Sequence, residues 1–177
     1  MDKHKNEVFD SQQFKQELKY LSDFSWDAIQ TIRTISIYST RAKDIYDEFL
    51  SIRSSDDILQ SIVGIRKLIS NGVHNMAKRE IRYLIEIVAK YLVVDYEKMG
   101  EPISIKTQYL KDNIPNSSIE VVDRLSTPFE TLIDKQFKDE IKDIFYKACA
   151  YVHPSQRQIE EQLNNCGYPL DWTNPNM

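Results

Sequence analysis

Apolar residues recur at intervals of three and four along almost the whole chain, the period of helices with one buried face. From Asp10 or Ser11 a short helix carries Phe14, Leu18 and Leu21 on one side. Asp23 or Ser25 is placed to cap a second helix, whose apolar positions Ala28, Ile32, Ile35, Ala42, Ile45, Phe49 and Ile52 follow near-heptad spacing. The β-branched stretch from Thr31 to Thr40 is its weak point and a place for a kink. Ser54 and Ser55, followed by Asp56 and Asp57, open a third helix with Ile58, Ile62, Ile65 and Ile69 facing inward, and Asn71-Gly72 closes it.

The fourth helix, about 73–99, has the widest apolar face, with Ile81, Leu84, Ile85, Val88 and Leu92 in one row and Ile87, Tyr91 and Val94 beside it. A helix so broadly apolar belongs at the centre of a bundle. Gly100-Glu101-Pro102 ends it. Residues 103–130 are less regular, with a helix over 104–113, a break at Pro115 and a short helix over 117–125. A further helix over 132–152 carries Ile133, Phe137, Ile141, Ile144, Phe145, Ala148 and Val152, and a short one closes near Asn165. The expectation is an all-α, up-and-down helical bundle with short additional helices. Residues 1–9 form a tail, 10–166 a single bundle domain, and 167–177 an extended C-terminal tail.

Composition narrows the function classes. At 177 residues, 41% hydrophobic and 28% charged, the chain suits one globular domain. A net charge of −4 gives no global attraction to nucleic acid or anionic membrane, so any RNA contact is expected to be local. Two cysteines, Cys149 and Cys166, are too few for a disulfide framework. No run of apolar residues approaches membrane-spanning length, and a cytoplasmic protein with no membrane contact is expected. The three histidines and two cysteines lack the spacing of a metal site, so neither metal nor cofactor is expected.

Two patterns carry candidate chemistry. Arg79, Arg82, Glu86 and Lys90 share one stripe of the central helix, either as a solvated face of i,i+4 pairs or as the lining of a groove or interface. Tyr151-Val152-His153-Pro154-Ser155 puts a histidine at a helix end, just before a proline that takes its neighbour out of the α region. Helix carbonyls there favour a protonated ring. His153 is either a structural plug or a working group.

The run Arg-Glu-Ile-Arg-Tyr-Leu-Ile-Glu (79–86) on a long helix, followed by a helix ending Tyr-Val-His-Pro-Ser (151–155), resembles the HEPN superfamily over about residues 73–165. The resemblance implies a HEPN-like bundle from a prokaryotic toxin–antitoxin or phage-defence system. In active members an arginine and a histidine near one helix end meet their counterparts across a dimer cleft and cut RNA without metal. It assigns the histidine role to His153, as acid or base. The positions where arginine is expected hold Ala148, Lys147 and Tyr146, so Lys147 is the available cation, a point charge without the fork of a guanidinium. Arg79, Arg82, Glu86 and Tyr151 would then bind RNA or shape the cleft. The resemblance thus leaves two readings: a metal-independent endoribonuclease, or an inactive HEPN-like dimerisation or assembly module. The partners implied are a second copy, an RNA substrate, and a protein partner or antitoxin.

Overall fold

The computed structural model describes residues 11–42, 47–115, 119–125 and 135–150. Their regular elements are α1 (Gln12–Arg41), α2 (Leu50–Arg53), α3 (Ser55–Ser70), α4 (His74–Glu97), α5 (Ile103–Asn113), a 3-10 turn (Glu120–Arg124) and α6 (Lys135–Cys149). No strand occurs among the described residues, and the fold is all-α. None of the described helices is long and apolar enough to cross a membrane.

Ser11 caps α1, its Oγ accepting the Phe14 N–H at 3.2 Å. The break expected at Asp23 or Ser25 is absent. The Ser25 hydroxyl instead donates to the Leu21 carbonyl one turn back at 2.6 Å, a bond that satisfies a serine inside a helix. Thr31 and Thr40 do the same toward Asp27 and Ile37, and the helix runs through the β-branched stretch to Arg41. The helix expected to reach Ile52 is divided, because Phe49 is extended (φ −111, ψ 120) and α2 begins after it.

α3 carries Asp56 and Asp57 in its first turn, where carboxylates complement the exposed N–H groups. It ends as expected. Gly72 takes a left-handed φ of 73, and the Val73 N–H reaches back to the Leu68 carbonyl at 2.8 Å. The chain then returns as α4, and the Ser61 hydroxyl donates across this hairpin to Glu80 at 2.6 Å. Gly100, with φ 79, follows the end of α4. α5 starts after Pro102, and the helix expected over 117–125 is a 3-10 turn. Arg124 pins that turn through a forked pair to Glu97, Nε to Oε1 at 2.9 Å and Nη2 to Oε2 at 2.5 Å. Hydrogen bonding to Glu97 raises the Arg124 pKa further above its ordinary value.

α1 packs on α3, α3 on α4, and α4 on α5 and α6, which makes α4 the central helix. The tight core gathers about its C-terminal half: Val93 and Val94 with Ile119, Val122 and Phe145, all nearly or fully buried.

Candidate functional site

Arg82, Glu86 and Lys90 of the charged stripe on α4 are half-buried. Glu86 holds Lys90 at 2.6 Å and Arg82 at 3.4 Å, each one turn away. The Arg82 guanidinium lies 5.3 Å from the centre of the Phe145 ring on α6, and its Nε is buried with no hydrogen-bond partner. Glu86 and Lys90 also line a groove of about 210 Å³ with Tyr83, Tyr91 and Leu110. Burial, then the Tyr91 phenol and the Asp57 and Glu80 carboxylates, push the Tyr83 hydroxyl above its ordinary range, so it stays protonated at neutral pH. Arg79, on the same helix, is exposed.

Lys147 lies apart from this cluster. It stands in the last turn of α6, exposed, with Nζ 2.5 Å from Asp143. Phe145 and Ala148 turn toward the bundle, while Lys147 shares the outward side with the exposed Asp139, Glu140 and Asp143. The structure therefore joins Arg82 to Glu86 and leaves Lys147 on another face. Tyr151 and His153 lie outside the described residues, as do both tails and the closing helix. Cys149 is half-buried against the core, and His74 is the exposed first residue of α4. Among the described residues no three His, Cys, Asp or Glu side chains gather into a possible metal site.

A second polar cluster escaped the sequence reading. Asp95 on α4 is 4% exposed and Lys106 on α5 is 0% exposed. One Asp95 oxygen accepts the Leu50 N–H at 2.8 Å and Lys106 Nζ at 3.2 Å. The other accepts the Ser51 N–H at 2.9 Å and its hydroxyl at 2.7 Å. Lys106 also donates to the Glu48 carbonyl and sits 4.9 Å from the Phe49 ring centre. Both charges are thus fully engaged, which is the condition for tolerating them in a core. The cluster ties α4, α5 and the start of α2 together, which is a structural task.

The third feature is a space rather than a set of charges. A cavity of about 790 Å³ lies between α1, α3, α4 and α6, lined mainly by aliphatic side chains such as Ile62, Ile65, Ile85 and Val88. Protein cores contain few voids larger than a water molecule, whereas ligand pockets have this size. The inward isoleucines predicted for α3 all face it.

Comparison of the chain with family models, curated proteins and solved structures found no match.

Proposed function

We propose that the chain is a HEPN-like helical module of a prokaryotic toxin–antitoxin or phage-defence system. It acts by binding: a cytoplasmic homodimer that docks a protein partner rather than a nuclease. One observation carries this reading, the pairing of Arg82, Lys90 and Lys147 with carboxylates of their own helices. Arg82 and Lys90 share Glu86, and Lys147 is held by Asp143. At Arg82 and Lys90, which are largely buried with Glu86, an approaching phosphate would have to compete with a carboxylate already in place; at exposed Lys147 that competition is weak. Surface composition agrees. Tyr20, Phe24, Trp26, Ile37 and Tyr38 of α1 are all more than half exposed, a density of large apolar groups typical of a contact surface.

A ribonuclease reading has one arrangement in its favour. Arg82 rests on α6 at Phe145, so the guanidinium that α6 lacks near its end is supplied by the neighbouring helix. In that case Arg82 rather than Lys147 would partner His153. Light scattering tests the homodimer, which both readings share. With a chain of 20.8 kDa, the expected result at micromolar concentration is the mass of two chains. A mass of one chain at every concentration would remove the dimer from the account.

A further inference from the structure

The large cavity is bordered by helices and partly open to solvent, and its shape and chemistry together define an occupant. Its wall follows α3 from Ser55 to Ile69, roughly 20 Å at 1.5 Å per residue. At the Ile69 end a second pocket of about 300 Å³ adjoins it, sharing Leu21, Phe24 and Ile69. Together the two outline an elongated, partly open apolar channel.

Among the described residues the large cavity has no charged side chain in its lining, and its serine oxygens are already engaged. Ser25 donates to the Leu21 carbonyl at 2.6 Å, Ser51 to Asp95 at 2.7 Å, and Ser55 accepts from Ser36 at 2.9 Å. A guest in this part needs no polar atom, and a polar guest would lose its hydration without return. Much of the wall is isoleucine, which has few side-chain rotamers and so cannot readily swing inward to fill the space. The outer pocket differs. Among the described residues Glu17 is its one charged lining residue, with Tyr20 also in the lining, so the mouth disfavours an anionic head group and suits an uncharged or cationic one.

We propose that this channel binds a single-chain aliphatic amphiphile, its hydrocarbon tail between α1, α3, α4 and α6 and an uncharged or ammonium head at Glu17. The test uses the full chain and the uncharged fluorophore N-phenyl-1-naphthylamine, displaced by dodecanol, dodecylamine or dodecanoate. Saturable binding of one probe per chain is expected, with dodecanol and dodecylamine displacing it at lower concentration than dodecanoate. Ile62→Trp, which fills the channel, should weaken the probe by about ten-fold or more, equivalent to the loss of a few buried methylenes. Val63→Trp, on the exposed side of α3, should leave binding unchanged. Glu17→Lys should shift the preference toward dodecanoate. Circular dichroism establishes which variants fold, and the competitor ranking on the native chain stands without any of them. Absence of saturable binding, an equal response to Ile62→Trp and Val63→Trp in folded protein, or preference of the native chain for dodecanoate would each overturn the proposal. A channel blocked to every probe in a stable dimer would assign it to the second copy and overturn it equally.

Discussion

The two ends of α4 solve the same problem in opposite ways. Toward its C-terminus, Val93 and Val94 are fully buried, and Ile119, Val122 and Phe145 close over them. Asp95 and Lys106 lock that end with bonds to the start of α2. Further back, Ile81, Leu84, Ile85 and Val88 are only half-buried and line the cavity of about 790 Å³ among the described residues. The residue types are alike, so hydrophobicity alone does not decide which end is packed. What differs is the surrounding chain: α5 and the 3-10 turn pack on α4, and the Asp95 cluster holds α5 there. Stability should accordingly reside at the closed end and binding at the open one.

The sharpest way to break this contrast is Asp95→Ala. It removes the acceptor of four hydrogen bonds and leaves the Lys106 charge buried without its counter-ion. The expected cost is about 3–5 kcal/mol in chemical denaturation. A loss below about 1 kcal/mol would mean that the cluster contributes little and that the closed end is held by packing alone.

Matched truncations sharpen the contrast. Ile119→Ala at the closed end should cost about 2–5 kcal/mol, as for a fully packed side chain. Ile62→Ala on the cavity wall should cost less than about half as much, because some of the deleted atoms already lack neighbours and forfeit little dispersion energy. Equal losses at the two sites, read from urea midpoints at constant slope, would show that the cavity wall is packed as tightly as the core.

The smallest effect is expected on the outer face of α6. Lys147→Ala should change stability by less than about 0.5 kcal/mol, since an exposed i,i+4 pair is worth a few tenths. A larger loss would place Lys147 in a contact that its exposure does not suggest.

Local physics made much of this architecture legible in the sequence. α3 showed both its ends and its inward face, because Asp56, Asp57 and Gly72 act through their own backbone neighbours. The apolar row of α4 was equally plain. The continuity of α1 was not, because Ser25 has the chemistry of a cap and also the chemistry of a hydroxyl bonded one turn back. The division before α2 was hidden by a heptad row that runs past it. Asp95 and Lys106 gave almost no signal: they lie on different helices, and a buried ion pair has no characteristic spacing. The one sequence cue was an aspartate beside Val93 and Val94 on an otherwise apolar stretch. Of the candidate site, Arg82 and Glu86 are joined as their spacing implied, whereas Lys147 faces away because two residues along a helix turn a side chain by about 200° from Phe145.

The claim that the chain binds rather than cuts is tested most directly by incubating purified protein with assorted RNAs in the presence of chelator. The account predicts RNA of unchanged length for the native chain and for Lys147→Arg, because residue 147 is exposed on the outer face of α6 and already faces the Asp143 carboxylate. Cleavage by the native chain that disappears in His153→Ala and in Arg82→Ala would contradict it, and would establish an active site assembled from α4 and the segment that follows α6.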